Sequence, residues 1–458
     1  MSSTLVLNAR LIDKNTDCPG AVLIRGERIA GVFRNADSSS ARRLAAAALA
    51  ADSETSDYDE YDAKGAVLMP AFVDLHAHFR DPGFTHKEDL LSASRAAAAG
   101  GYGTVVLMAN TDPVISDGAA AAAVRERVRE IGLIDAFQAV SLTRNFDGRD
   151  ASALSSLDSR EVPVATEDGR EVASSAVMLD AMRRCAAAGV VVSCHCEDPE
   201  LAAGAKPFRA QALAESDSSR VKTLLGEAEC RLRLAEDLMT DRNLSLAAAS
   251  GCRVHIAHAS TAGVLESIRR AKKQRAPVAV SRGGDTAIVS PVTCEATPHH
   301  LVLTDDYPAI VNPPLRPAAD RAALVAALLD GTIDAIATDH APHTPADKAA
   351  GAPGFSGIQT AFAVCFTELV GTGLVGLSRL SALMAANPAE ILGLERGLLK
   401  EGWRADLALA DVDSARTLDP DDESAWFSKG KNTPLAGTPL RGWITAVWNA
   451  GRRVYPFS

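Results

Sequence analysis

All ten histidines of the chain fall between residues 76 and 343, and most stand at or just beyond the end of an apolar run. His76 and His78 close the run that begins at Ala66, and His195 ends Gly189-Val190-Val191-Val192-Ser193-Cys194. His258 follows Val254-His255-Ile256-Ala257, and Asp339-His340 follows the run 333–338. Histidines and acids gathered at strand ends are what a (β/α)8 barrel needs, because its site is assembled at the C-terminal mouth of the cylinder. Runs near 66–75, 103–109, 133–141, 162–166, 189–195, 252–258, 292–298 and 333–338 supply eight candidate strands separated by helical stretches, which predicts a parallel sheet. Side chains on a strand alternate between faces, so His76 and His78 point the same way, about 7 Å apart along the backbone. Two such imidazoles can converge on one metal ion. Arg80 extends the same row. The same alternation puts His255 on the face opposite His258, as a structural histidine.

The ends of the chain have a different texture. Residues 1–65 read as short strands and turns, and 394–458 repeat that pattern. The expected architecture is α/β: a (β/α)8 TIM-like barrel over 66–393, flanked by a small β-sandwich domain built from both chain ends. Residues 35–62, rich in Ala, Ser and Asp, read as an exposed insertion, and 281–291 as a second one. Thr85-His86-Lys87-Glu88 has the form of a capping box opening an alanine-rich helix that ends at Gly100-Gly101, with His86 facing solvent. Residues 344–355 read as a mobile loop beside the site.

Composition narrows the class of function. A net charge of −11 without a basic stripe excludes nucleic acid and anionic membranes as expected partners. The eight cysteines show no CxxC spacing, the first residues lack a signal-peptide core, and no run reaches transmembrane length. These features predict a cytoplasmic protein with reduced thiols. In Cys194-His195-Cys196 both cysteines face away from the histidine and read as packing residues.

Several motifs, taken together and in order, resemble the dihydroorotase branch of the amidohydrolase superfamily. They are His76-Ala77-His78-Phe79-Arg80-Asp81-Pro82-Gly83, Met108-Ala109-Asn110-Thr111-Asp112-Pro113, His195-Cys196-Glu197-Asp198 and His258-Ala259-Ser260-Thr261. Glu295-Ala296-Thr297-Pro298-His299-His300, Asn312-Pro313-Pro314-Leu315-Arg316, Thr338-Asp339-His340-Ala341-Pro342-His343 and Asn387-Pro388-Ala389 complete the set. The resemblance implies a hydrolase of cyclic amides that uses water activated by divalent ions, normally zinc and two per subunit. It implies that His76, His78 and Asp339 hold one ion, that His195 and His258 hold the second, and that Asp339 is the catalytic base. Hydantoinases, allantoinases and many dihydroorotases bridge their metals with a carboxylated lysine, but no lysine occurs here between Lys87 and Lys206. The matching region, Val164-Ala165-Thr166-Glu167-Asp168-Gly169, resembles relatives that place an aspartate there, which implies Asp168 as the bridge with Glu167 as second choice. Arg80 would take the substrate carboxylate in a fork, with Asn110 and His343 assisting and Asn312 contacting the ring.

The implied reaction interconverts N-carbamoyl-L-aspartate and L-dihydroorotate in pyrimidine synthesis. Two alternatives stay open: another cyclic amidohydrolase of hydantoinase or allantoinase type, and a non-catalytic scaffold for aspartate transcarbamoylase. A homo-oligomer is expected, with aspartate transcarbamoylase as a candidate partner. His299-His300 reads as a pair in a supporting or structural role, and Glu197 and Asp198 as partners for the ligand imidazoles. Ala109 stands where the family usually has proline, and residues 204–230 match its pattern poorly.

Overall fold

The chain is described by a computed structural model over residues 3–52, 57–282 and 285–457. Eight parallel strands make the barrel: β1 (Phe72–Ala77), β2 (Tyr102–Leu107), β3 (Asp135–Gln138), β4 (Val164–Thr166), β5 (Val191–Cys194), β6 (Val254–Ile256), β7 (Val292–Ala296) and β8 (Ala335–Ile336). Neighbours in sequence pair in parallel register, with the short extension Val140–Ser141 of β3 joining β4. The cylinder closes where His78 N donates to His340 O at 2.8 Å, beside a parallel bridge between Ala77 and His340.

The run 66–75 splits in two. Val67–Pro70 pairs with Ser3–Asp13 and with Leu407–Asp411, outside the barrel. The crossing falls at Ala71, whose N–H goes to Asp406 O at 2.9 Å, while Phe72 N already donates to Gly101 O at 2.8 Å. Eight strands from both ends of the chain form one continuous sheet rather than two separate ones. It bends over a core that includes Val6, Leu11, Val22, Ile24, Leu68, Leu407 and Trp448. Ile29 N donates to Trp403 O at 2.9 Å, tying an early strand to the C-terminal segment.

Residues 35–62 are not an exposed loop. Ser38–Asp52 is a helix, and Asp59–Asp62 adds a parallel strand beside Ser3–Asp13. Ala41, Ala45 and Leu49, spaced by four, are buried against Leu5, Leu7, Ala21 and Leu23. The apolar face was hidden because alanine marks a buried helix stripe weakly. Residues 53–56 of that segment lie outside the described residues. Within 281–291 the backbone belongs to an antiparallel hairpin, Val278–Arg282 with Asp285–Val289, and residues 283–284 lie outside the described residues.

The alanine-rich helix starts later than its capping signal suggested. It spans Leu90–Ala99, capped by Asp89, which accepts from Ser92 N at 2.8 Å, and it ends at Gly100. Glu88 is unavailable to a Thr85 cap because it is fully buried, accepting from Ser92, from Ser428 and from Lys429 N. His86 is exposed, as expected. The segment 344–355 is tied down. Thr344 and Asp347 form a capping box for Pro345–Ala349, and Lys348 Nζ donates to Ala352 O at 2.6 Å and Gly354 O at 3.1 Å. Between β5 and β6 the chain forms two helices, Pro199–Ala214 and Ser218–Ser250. No helix among the described residues is long and apolar enough to cross a membrane.

Candidate metal centre and active site

Six side chains from five strand ends meet at the barrel mouth. His76 Nε2 lies 3.4 Å from Asp168 Oδ1 and 3.6 Å from Asp339 Oδ1. His78 Nε2 lies 3.1 Å from Asp339 Oδ1 and 3.6 Å from Asp168 Oδ2. His195 Nδ1 is 3.2 Å from Asp168 Oδ1 and 2.9 Å from His258 Nε2. All six are nearly inaccessible to solvent. Asp168 therefore stands between the two imidazole pairs. Glu167 turns away, its carboxylate accepting from Thr143 N at 3.0 Å and from the Thr143 hydroxyl.

Left-handed backbone aims these groups. Arg80, Cys196, His258 and Asp339 have φ of 61°, 49°, 32° and 45°. Non-glycine residues pay for that conformation, and such strain gathers at functional sites. It also corrects the expectation for His255. On a regular strand it would oppose His258, but with the left-handed turn at His258 the His255 ring meets Glu295 Oε2, the carboxylate that also accepts from the His258 backbone N–H, while the His258 ring meets His195. His255 remains fully hydrogen-bonded, as a structural histidine should be.

Electrostatics suit the site to cations. Burial alone would raise the carboxyls of Asp168 and Asp339, but the surrounding imidazoles outweigh it and hold both well below the usual range. Burial, reinforced by repulsion from His195 and His76, pushes His258 down to about 3, so that ring is neutral and offers a lone pair. His76 Nε2 is buried with no hydrogen-bond partner. Imidazole nitrogens and carboxylate oxygens converging within ligand reach, with such an orphaned atom among them, fit one or two divalent ions.

The remaining predicted residues divide. Arg80 is half-buried beside His343, its guanidinium 3.2 Å from His343 Nε2. Burial lowers its pKa to about 10, which leaves it a cation at neutral pH. Asn110 sits among the cluster, with Oδ1 2.9 Å from His78 Nδ1 and Nδ2 donating to Asp168 Oδ2 at 3.0 Å. It braces two predicted ligands rather than standing free. The hydrogen bond of Asn312 leads elsewhere, its Oδ1 accepting from Arg209 at 2.5 Å. Asp198 is the N-cap of Pro199–Ala214 and not a partner of His195, whereas Glu197 Oε1 lies 3.9 Å from His195 Nε2. His300 packs structurally between Thr297 Oγ1 and Pro313 O.

Two acids escaped the sequence reading. Glu295 Oε1 is 3.0 Å from His76 Nδ1 and its Oε2 is 3.0 Å from His255 Nε2. Asp74 accepts from Thr338 N at 2.9 Å and from His76 N at 3.2 Å, joining β1 to the segment that carries Asp339. Each is an acid inside an apolar strand, and that cost is itself a signal.

Comparison with known proteins agrees with this geometry. The amidohydrolase family profile matches residues 67–454. A dihydroorotase of Clostridium botulinum is 37% identical over 455 residues, spanning 98% of this chain and 99% of that one. One from Geobacillus kaustophilus is 36% identical over 416 residues, spanning 87% and 91%. Among solved structures, the L-hydantoinase (dihydropyrimidinase) from Arthrobacter aurescens superposes with a TM-score of 0.80 at 24% identity, covering 99% of this chain and 96% of that one. That last likeness is one of fold. A closed parallel barrel with such a mouth, matched along most of its length, defines a metal-dependent amidohydrolase. The chain belongs to the amidohydrolase family, in its dihydroorotase branch.

Proposed function

We propose that the chain interconverts N-carbamoyl-L-aspartate and L-dihydroorotate, with His76, His78 and Asp339 holding one zinc ion, His195 and His258 a second, and Asp168 between them. The observation that carries this reading is the position of Asp168, within 4.0 Å of all four imidazoles. When bound, the ions would lower the pKa of a coordinated water and polarise the amide carbonyl under attack.

The chain's own residues do the rest. In the hydrolytic direction Asp339 accepts a proton from the attacking water and delivers it to the ring nitrogen as the C–N bond breaks. Arg80 holds the substrate carboxylate and so places the reacting carbonyl over the cluster. Asn110 keeps His78 and Asp168 at a fixed spacing.

The test is an assay in both directions after zinc loading, with hydantoin and allantoin as competing substrates. Turnover of either at the rate of dihydroorotate would replace this reading with the hydantoinase or allantoinase one. All eight cysteines are free, which supports a reducing, cytoplasmic setting. Leu213, Leu234 and Leu238 are exposed on the helices 199–250, which supports self-association; sedimentation would test it.

A further inference from the structure

We infer that Glu295 and His255 are positioning residues for the proposed metal centre, a hydrogen-bonded pair that fixes which nitrogen of His76 faces the cations. This inference rests on the function proposed above.

The pair follows from strand geometry. On β7, Thr293 and Glu295 share one face by alternation. The parallel register sets His255 of β6 beside Thr293. His255 Nδ1 is 2.8 Å from Thr293 Oγ1 and its Nε2 is 3.0 Å from Glu295 Oε2. Glu295 Oε1 then lies 3.0 Å from His76 Nδ1. The four residues are 7% exposed or less, so the chain runs through the barrel interior.

With both imidazoles neutral, as metal ligation requires of His76, proton placement along this chain has one solution. An ionised carboxylate only accepts, so both imidazoles donate to it, His76 through Nδ1–H and His255 through Nε2–H. The Thr293 hydroxyl donates to His255 Nδ1. His76 Nε2 is left with its lone pair, and it is this atom that faces Asp168 and Asp339 without a hydrogen-bond partner. A carboxylate behind a ligating imidazole fixes its tautomer and raises the basicity of the ligating nitrogen. Glu295 Oε1 also accepts from His258 N at 3.3 Å, so one side chain anchors ligands proposed for both ions. Neither Glu295 nor His255 needs to touch substrate.

Zinc affinity, measured on metal-free protein by competition with a chromophoric chelator, tests the inference. Glu295→Gln is expected to weaken zinc binding by roughly 10–100-fold and to lower kcat while leaving KM for dihydroorotate unchanged. His255→Phe should weaken zinc binding less, and His255→Gln should recover most of that loss because its amide N–H can still donate to Glu295. A merely structural role would lower the melting temperature of the metal-free variants but leave zinc affinity at the wild-type level. Wild-type affinity in folded Glu295→Gln overturns the inference. Should that variant fail to fold, wild-type affinity in both His255 variants overturns it instead. A wild-type protein that takes up zinc without turning over dihydroorotate defeats the proposed reaction alone, and one that binds no zinc defeats both.

Discussion

The small sheet and the barrel mouth are both buried, yet they are built from opposite materials. The sheet closes over the apolar side chains of Val6, Leu11, Val22, Ile24, Leu68, Leu407 and Trp448. The mouth packs four histidines and two aspartates into a similarly dry volume, on strand ends whose backbone at His258 and Asp339 is left-handed. Apolar burial of the first kind stabilises by roughly 25 cal/mol per Å². Burial of the second kind costs free energy unless each charge is paired. The fold thus keeps its stability in one region and its chemistry in another. Damage to one should be readable without damage to the other.

The largest effect should come from the mouth. Asp339→Ala removes a proposed ligand and the proton carrier together, so kcat should fall by roughly 10³-fold or more. Circular dichroism should show a folded barrel, because an unfavourably buried charge has been deleted. Chelating the metal should lower the melting temperature of the wild type by mass action, but that of Asp339→Ala far less. Substantial activity in the variant would falsify the proposed site. Next in size is the mirror experiment. Trp448 is buried and stacks edge-on with Tyr61 at 5.1 Å between centroids. Trp448→Ala should cost about 3–5 kcal/mol in urea unfolding while turnover per folded molecule stays at the wild-type level. Lost turnover in the folded variant would mean that sheet and mouth are coupled.

Local pattern carried the barrel strands and most of the cluster, and distance in sequence hid the rest. The apolar runs ending in His195, His258 and Asp339 were legible because strand, turn and chemistry lie within a few residues. The orientation of His255 was not, since it depends on the left-handed turn at His258. The helix start at Leu90 was misplaced because Glu88 is drawn off by Ser428, a partner 340 residues away. The bracing contacts of Asn110 were hidden for the same reason, since its partners lie on separate strands. Glu295 could have been found: an acid in the middle of Val292–Ala296 has to be paired, and histidines on neighbouring strands were the available partners.

A third prediction returns to the mouth at lower amplitude. Arg80→Lys keeps the charge but loses the planar fork, so KM for dihydroorotate should rise by roughly 10- to 100-fold, about 1.5–3 kcal/mol for a charged hydrogen bond. The metal content should not change. A wild-type KM would remove Arg80 from substrate recognition and leave the cluster intact.

The smallest effect tests the helix Ser38–Asp52 that covers the outer face of the sheet. Ala45 is fully buried against that sheet, while Ala47, two positions on, is exposed. Glycine at either site costs helix propensity of about 1 kcal/mol, since both sit in the helix interior. At position 45 the lost methyl adds about 0.8 kcal/mol of burial, because it contributes to the cluster of Leu5, Leu7 and Leu23. Ala45→Gly should therefore destabilise more than Ala47→Gly in urea titrations, with kcat and KM unchanged in both. Equal costs would mean that the helix forms without packing on the sheet, and the apolar region would then end at the strands themselves.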